Sequence, residues 1–522
     1  MRVRAIASIL VAGAALAACG AVDSGVTAKE SRDNGVAPAP TTVDTEPTTD
    51  STPDTKPTDT TDTTDTSPDG TTLDTIPTDK SIPVPDNQNI IDFGDAKTPQ
   101  SYDGFLIVAF KDIESFWNDQ FPKVYGSKFQ PLQGGIFAAY AARTTPIPGC
   151  QSPETRYRDV EGNAFYCSDG DFIVYDDDEL LPALVKELGE TSVGVVLAHE
   201  FGHAIQSRIN ELNEPTILKE QQADCFAGAW AAHIARGEDD QLTFDDNELK
   251  QGLVAMIQVR DPIDGDVNDP NAHGTGFDRV GAFQDGFIGG AERCKPFFTE
   301  DREKNLIDIP FDGTDGNLPF DTNGRESDIV TAMPEDLNRF WVQKLTGLSG
   351  VNFTAPTLEL FPSAGPLPEC DGVDKDDFKQ QRIFYCKSSN KILVDEDFAA
   401  KLDADPVLGD MSVGYLLGEA YSEAVQTALN STLKDKKRVL LNDCFTGAWV
   451  SDDVPNTTDG KARGGGELTL SAGDLDEAIV TAIVHGDSTS DTNINGTAFE
   501  KVDAFRSGVL GGMPSCQGRI PS

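Results

Sequence analysis

The apolar residues of this chain are concentrated in short runs from about residue 100 onward. Phe172-Ile173-Val174-Tyr175 is an apolar run typical of a buried strand. A helix is predicted from about 180 to 188, and the apolar positions within 193–206 predict the next one. Another helix is predicted from about 217 to 236, with Thr216 as its cap. Together these elements predict an α+β fold that is mainly helical, with a small sheet.

Residues from about 100 to 300 recur in degraded form from about 325 to 520. Phe165-Tyr166-Cys167 matches Phe384-Tyr385-Cys386, and Asp224-Cys225-Phe226 matches Asp443-Cys444-Phe445. The offset between matching blocks is nearly constant. Each half has roughly 200 residues, which is enough for its own core. We therefore expect two tandem domains of one fold, at 96–300 and 325–522.

The first 18 residues have the pattern of a bacterial targeting segment. A short positive region precedes an apolar run, 6–18, that is too short to span a bilayer. Leu16-Ala17-Ala18-Cys19-Gly20 resembles the lipobox of bacterial lipoproteins, in which cleavage precedes a Cys that then carries lipid. We expect a lipoprotein signal peptide at 1–18 and an extracytoplasmic protein anchored to the cell membrane through lipid on Cys19. An ordinary signal peptide is the alternative, and it also places the mature chain outside the cytoplasm.

Residues 19–95 have the composition of a disordered linker. The segment 41–78 is mostly Thr, Asp and Pro and offers almost nothing apolar to bury. We expect it to act as an extended tether between the membrane and the folded part. The formal net charge of -45 argues against nucleic acid as a partner, because binding a polyanion requires a basic surface.

The cysteines fit an oxidising compartment. Of the 9 Cys, Cys19 is assigned to the lipid, and the other eight recur in register, four in each half. A cysteine that persists in both halves is better explained by structure than by metal binding. The simplest disulfide pairing therefore repeats in both halves: Cys150–Cys167, Cys225–Cys294, Cys370–Cys386 and Cys444–Cys516.

The strongest motif in the chain is His199-Glu200-Phe201-Gly202-His203, a complete H-E-x-x-H string inside an apolar run. Residues four apart lie on one face of a helix, so both imidazoles can reach one Zn²⁺. Glu200 is then placed to activate water as a general base. The alternative is a buried helix with two satisfied histidines, which is disfavoured because burying these groups without an ion is costly.

A catalytic zinc usually takes three protein ligands and keeps one open position. Glu220 on the next predicted helix has the reach to be the third ligand, and Asp224 lies on the same face, four residues on. Asp224 could fix a histidine ring by accepting its other N–H, or it could have a structural role. His273 could steady the oxyanion of a tetrahedral intermediate, or it could simply bond the backbone of its loop.

The second half has lost this chemistry. Glu419 and Glu423, which replace the two histidines, could share a cation, although a solvated helix face is the favoured interpretation. Asp224 is retained as Asp443, whereas the other candidate groups are lost. The aligned replacements are Glu419 for His199, Ala420 for Glu200, Glu423 for His203, Val439 for Glu220 and Asn495 for His273. We expect 325–522 to be a catalytically inactive repeat.

These motifs together resemble a bacterial family of neutral zinc metallopeptidases, a zincin-like group. The resemblance lies in the H-E-x-x-H string, in Glu220-Gln221-Gln222-Ala223-Asp224-Cys225 and in Gly228-Ala229-Trp230. It covers 100–300 well and 325–520 only as a scaffold. It implies that His199, His203 and Glu220 bind Zn²⁺ and that Glu200 is the general base. It also implies that the substrate is a peptide or protein.

The expected reaction is hydrolysis of a peptide bond outside the cytoplasm by metal-activated water. A surface binding lipoprotein with a structural zinc is one alternative. A zinc amidase that acts on cell-wall peptides is another, because the same chemistry would serve that substrate. The sequence does not separate these substrates.

Overall fold

The computed structural model describes residues 90–518. The gaps within this range are 214–215, 240, 262–271, 301, 303–305, 308, 310–315, 321–327, 375–377, 379–380, 457–458 and 487–495. The predicted signal peptide 1–18, the lipid attachment at Cys19 and nearly all of the predicted linker lie outside the described residues. Asn495, which aligns with His273, also lies outside them.

The first half combines a small sheet with six helices in its described residues. The predicted strand at 172–175 and the predicted helices at 180–188 and 217–236 are confirmed to within a residue or two. Gly237, which follows the last of these helices, has a φ of 69°. The elements are β1 (Ile91–Asp92), α1 (Asp103–Tyr125), β2 (Gly135–Ala139), β3 (Ile147–Pro148), β4 (Glu154–Thr155), β5 (Ala164–Cys167), β6 (Phe172–Asp176), α2 (Leu180–Leu188), α3 (Glu190–Ile209), α4 (Thr216–Ala235), α5 (Asp246–Gln258) and α6 (Gly276–Cys294).

The second half, as far as it is described, follows a closely similar order of elements. One helix precedes a three-stranded sheet, and five helices follow it. The elements are α7 (Ile329–Leu345), β7 (Thr357–Phe361), β8 (Ile383–Cys386), β9 (Lys391–Asp395), α8 (Glu396–Asp403), α9 (Gly409–Ala428), α10 (Asp435–Asp453), α11 (Asp474–Gly486) and α12 (Ala498–Gln517). The mainly helical α+β class predicted from the sequence is confirmed.

The two main sheets share a topology. In the first half the strand order is β1-β2-β6-β5, with β2 parallel and β5 antiparallel to β6. In the second half the order is β7-β9-β8, with β7 parallel and β8 antiparallel to β9. The register places Val174 between Phe137 and Phe165, and Leu393 between Glu359 and Phe384.

Strand β1 falls within the range predicted as linker. Ile91 pairs with Ile136 of β2, and its side chain is buried. The linker prediction extends too far because it followed the polar composition of residues 19–95 as a whole. The apolar pair Ile90-Ile91 within it has enough side chain to join the sheet.

Helix α3 lies at the centre of the first half. Every residue from Thr191 to Gln206 is buried, as expected for a helix covered on all sides. It packs against the neighbouring helices α1, α2, α4 and α5 and against β5. The buried apolar side chains of both halves form one continuous cluster, so the two predicted domains are in close contact. Among the described helices, none has the length and apolar character needed to cross a membrane.

All four predicted disulfides are present. The Cα–Cα distances are 5.8 Å for Cys150–Cys167 and Cys370–Cys386, and 5.7 Å for Cys225–Cys294 and Cys444–Cys516. Cys225–Cys294 joins α4 to the end of α6. A Cβ on Gly228 or Gly286 would overlap the backbone of the facing helix, so glycine permits this close crossing.

Candidate metal centre

The two histidines of the H-E-x-x-H string lie on one buried face of α3. Their ring centroids are 4.8 Å apart, and the ring planes are 86° apart. His199 is 1% exposed and His203 is fully buried. The four-residue spacing on a helix therefore brings both Nε2 atoms to one point, as the sequence predicted.

Glu220 of α4 faces both histidines. Its Oε2 lies 3.2 Å from Nε2 of His199 and 3.2 Å from Nε2 of His203. The helices can approach this closely because a Cβ on Gly202 of α3 would lie only 2.9 Å from the Ala223 Cα. Tight contact between the two helices thus sets the position of the carboxylate.

The three atoms fit a zinc ion. Zn–N and Zn–O bonds of about 2.0–2.1 Å in a tetrahedron place neighbouring ligand atoms roughly 3.3 Å apart, close to the separations found here. Among the described residues, Nε2 of His199, Nε2 of His203 and Oε2 of Glu220 are buried and make no hydrogen bond. Buried polar atoms without hydrogen bonds are rare, and a shared cation would satisfy all three at once.

Each histidine is oriented by a partner on its other ring nitrogen. Asp224 Oδ1 lies 2.7 Å from Nδ1 of His199, and Gln206 Oε1 lies 2.8 Å from Nδ1 of His203. The Gln206 amide donates to the Lys219 carbonyl oxygen at 2.6 Å, so it also ties α3 to α4. With Nδ1–H donated to these acceptors, Nε2 is left as a lone pair for a metal.

Arg279 of α6 supports this arrangement from behind. Its Nε donates to Asp224 Oδ2 at 2.9 Å and its Nη2 donates to Asp224 Oδ1 at 2.8 Å. Both side chains are fully buried. Asp224 therefore contacts both His199 and Arg279 of α6, an arrangement that is compatible with both roles that the sequence left open.

Glu200 is anchored to the edge strand of the sheet. Its Oε2 accepts the backbone N–H of Tyr166 in β5 at 3.0 Å, and the side chain is fully buried. This contact ties the residue that follows His199 on α3 to the sheet.

His273 stands on the loop before α6, close enough to Glu220 for its charge to lower the pKa of that carboxyl. Asp261 Oδ2 accepts the backbone N–H of His273 at 2.7 Å, and Asp261 Oδ1 lies 3.2 Å from its Nδ1. Nε2 is buried and has no hydrogen bond within the described part of the chain. The loop is thus held through both backbone and ring.

Three functional groups were missed by the sequence reasoning, namely Gln206, Arg279 and Asp261. Only Gln206 has a local signal, because it lies three residues after His203 on the same helix. Arg279 and Asp261 reach the site from distant segments. No spacing in the sequence connects them to the motif.

The comparisons with known proteins agree with this geometry. Residues 92–297 match the family model described as "Putative neutral zinc metallopeptidase". Residues 92–297 are therefore similar to that family. The match spans the first half and does not extend to the second. We call residues 92–297 the metallopeptidase domain.

Relatives of the metallopeptidase domain have been sequenced in several bacteria. The "Uncharacterized protein YpfJ" of Escherichia coli (strain K12) is 28% identical over 218 residues, covering 37% of this chain and 70% of that protein. The "Uncharacterized protein Rv2575" of Mycobacterium tuberculosis is 26% identical over 121 residues, covering 19% of this chain and 41% of that protein. No solved structure gives a significant match.

The charges of His199 and Glu220 shift each other's pKa. Burial lowers the pKa of His199, but Asp224 and Glu220 outweigh it and raise the pKa to about 10. Burial raises the pKa of Glu220, but His203, His199 and His273 outweigh it and hold that pKa well below its usual range. Without a metal, His199 is therefore protonated at neutral pH.

We expect Zn²⁺ uptake to expel this proton. Zinc binds the neutral imidazole, so it competes with a proton that His199 retains up to about pH 10. Because the protonated form dominates below that pH, the apparent Zn²⁺ affinity should rise by about tenfold per pH unit between about pH 6 and 9. Competition against a chelator of known pH dependence measures this slope. Calorimetry in two buffers of different ionisation enthalpy counts the released protons. An affinity that stays flat over this range would contradict the expected exchange.

In the second half, basic side chains lie at the positions that correspond to the metal centre. Lys501 Nζ lies 2.7 Å from Glu419 Oε1 and 2.9 Å from Asp443 Oδ1. Arg438 forks onto both oxygens of Glu423, at 2.8 and 2.9 Å from its Nε. Glu419 and Glu423 are thus partly exposed, at 21% and 34% of their side chains, and each carboxylate pairs with its own basic side chain.

Proposed function

We propose that this protein is a zinc-dependent peptidase that cleaves peptide bonds outside the cytoplasm. One observation carries the proposal: His199, His203 and Glu220 converge on one point. Glu200, the neighbour of His199 on α3, is buried and bonded to the Tyr166 N–H of β5. The three ligands come from two adjacent helices, and the family that residues 92–297 match is consistent with this chemistry.

When bound, the ion would polarise the scissile carbonyl and lower the pKa of water toward about 7. His199, His203 and Glu220 would hold it. Glu200 takes the proton of the attacking water and later passes it to the leaving amine. The hydrogen bond from Tyr166 to one Glu200 oxygen fixes the carboxylate without consuming its capacity to accept a proton.

We assign to His273 the stabilisation of the negative charge that develops on the carbonyl oxygen of the substrate. Asp261 accepts the backbone N–H of His273 and faces its Nδ1, so Nε2 can donate a hydrogen bond to the oxyanion when both ring nitrogens carry a proton. A fixed donor of this kind stabilises a tetrahedral intermediate more than the planar substrate. This proposal favours the catalytic alternative for His273 over a purely structural one.

The setting of the enzyme is part of the proposal. Four disulfides suit an oxidising compartment, which supports an extracytoplasmic location. The lipid on Cys19 would then anchor the chain to the membrane through the linker. The second half is proposed to be catalytically inactive, because Lys501 and Arg438 neutralise the carboxylates at the positions of the histidines.

The test is metal analysis of the purified full-length protein, combined with cleavage of a mixed peptide library. We expect about one zinc per chain. Cleavage should stop when the zinc is removed by a chelator and return when zinc is restored. A parallel library of cell-wall peptides tests the amidase alternative with the same preparation. Hydrolysis that persists after complete zinc removal would overturn the proposal.

A structural zinc is the alternative from another class of function. Structural sites are usually closed by four protein ligands. In the described residues the cluster brings together three such groups, from His199, His203 and Glu220. The open position therefore favours the enzyme.

A further inference from the structure

Helix α6 is shared between the metal centre and the second half. One side of α6 presents Arg279 to Asp224, and other positions contact α11 and α12. A Cβ on Gly276 would lie 3.0 Å from Oδ1 of Asp476, and a Cβ on Gly281 would overlap the Arg506 guanidinium. Two glycines of α6 thus make room for side chains of the second half.

Asp476 of α11 binds the start of α6. Its Oδ2 accepts the N–H of Gly276 at 3.1 Å, and its Oδ1 accepts the N–H of Phe277 at 2.8 Å. These are N–H groups of a first helical turn, which have no acceptor within their own helix. Asp476 is 5% exposed, and a buried carboxylate at a helix N-terminus interacts strongly with the helix dipole.

Asp476 also binds the segment that holds His273. Arg260 Nε lies 2.9 Å from Asp476 Oδ2, and Arg260 immediately precedes Asp261. Asp261 in turn accepts the backbone N–H groups of His273 and Gly274, at 2.7 and 2.8 Å. One carboxylate of the second half therefore ties the segment on one side of His273 to the helix on the other.

The connection continues from α6 to a metal ligand. Arg279 lies within one turn of the two amides whose N–H groups Asp476 accepts. Its guanidinium donates two hydrogen bonds to Asp224. Asp224 lies 2.7 Å from Nδ1 of His199. A shift in the start of α6 would therefore move both the donor assigned to the oxyanion and the partner of a ligand.

We propose that Asp476, contributed by the half without the metal motif, is a positioning residue for the metal centre of the first half. The second half then acts as a permanently tethered partner subunit that completes the support of the site. The metallopeptidase domain alone would leave two amides of α6 and the Arg260 guanidinium without this carboxylate. The inference rests on the proposed function for its catalytic consequence and on the metal site for its other readouts.

The test compares three variants of the full chain: Asp476→Ala, the isosteric Asp476→Asn and Gln284→Ala. Gln284 is the matched control, because its amide also crosses the interface by donating to the Phe499 carbonyl oxygen at 3.0 Å, two turns farther along α6. The readouts are Zn²⁺ affinity by chelator competition, the visible spectrum of the Co²⁺-loaded protein, and kcat and KM. The thermal midpoint reports the structural cost of each variant.

We expect Asp476→Ala to weaken Zn²⁺ binding and lower kcat by about tenfold each, with a smaller change in KM and an altered Co²⁺ spectrum. Asp476→Asn should lie between this variant and the unmodified protein. Gln284→Ala should lower the thermal midpoint without changing the spectrum or kcat.

Equal Zn²⁺ affinity, spectrum and kcat in Asp476→Asn and in the unmodified protein would overturn the inference. So would an effect of Gln284→Ala as large as that of Asp476→Ala. If the unmodified protein binds zinc but cleaves nothing, the proposed function fails, and the affinity and the spectrum still decide the role of Asp476.

Discussion

Glu200→Gln is expected to abolish peptide hydrolysis while the bound zinc is retained. The amide has the shape of the carboxylate and can still accept the Tyr166 N–H through its oxygen. It cannot take a proton from water at neutral pH. General-base catalysis contributes about 10²–10⁴-fold, so kcat should fall by about 10³-fold. Turnover of a cleaved library peptide and zinc content by mass spectrometry measure the two effects on one sample.

The matched control is Glu423→Gln. Glu423 aligns with a histidine of the motif but belongs to the second half, where Arg438 pairs with it. This variant removes one carboxylate from the equivalent helix and should leave both zinc content and kcat unchanged. Undiminished turnover by Glu200→Gln would refute Glu200 as the general base.

Glu200→Gln also separates an enzyme from a binding protein with a structural zinc. A structural zinc needs ligands but no general base, so Glu200→Gln would then change neither zinc content nor turnover. Glu200 is buried and its Oε2 accepts the Tyr166 N–H, so the substitution removes a charge from a side chain that the fold holds in place.

The sequence predicted which candidate ligands lie together because local geometry brings two of them to one face. His199 and His203 share a face of the helix because they are four residues apart. The motif itself specifies the glutamate at position 200. Glu220 was predicted differently, through its absence as Val439 in the second half. Structure places all three within one cluster. The disulfides were predicted from the same comparison of the halves, because the simplest pairing of the retained cysteines repeats in both.

The supporting residues could not be predicted because tertiary packing brings them in. Arg279 is 80 residues from His199 along the chain, yet it contacts the partner of that ligand. Asp476 is 200 residues from Gly276. No periodicity spans such separations, so only the folded arrangement of α4, α6 and α11 reveals these contacts.

The comparison of the halves shows what replaced the metal site. Asp443 keeps its acidic side chain, and Lys501 provides the cation that Arg279 provides for Asp224. Lys501 also reaches Glu419, at the position of His199. A buried charge must be paired, and two carboxylates around one ammonium satisfy this without an ion. The second half therefore retains the framework of the site with its own cations.

Glu220→Val should remove zinc binding, and it installs the residue found at Val439 in the second half. The carboxylate faces both imidazoles at 3.2 Å, so its loss deletes one of three candidate ligands and leaves only the two imidazoles. Replacing a group that only orients a ligand costs about 10–100-fold in metal affinity, so the loss of a ligand itself should exceed about 100-fold. Chelator competition at fixed pH measures this difference.

Asp224→Asn provides the graded comparison, because Asp224 orients His199 without facing the point where the three ligand atoms meet. Its effect on zinc affinity should fall within about 10–100-fold, below that of Glu220→Val. Equal affinities in the two variants would show that Glu220 is not a ligand. Taken with Glu200→Gln, the series separates holding the ion from using it, because Glu220→Val should lose zinc and turnover together, whereas Glu200→Gln should lose turnover alone.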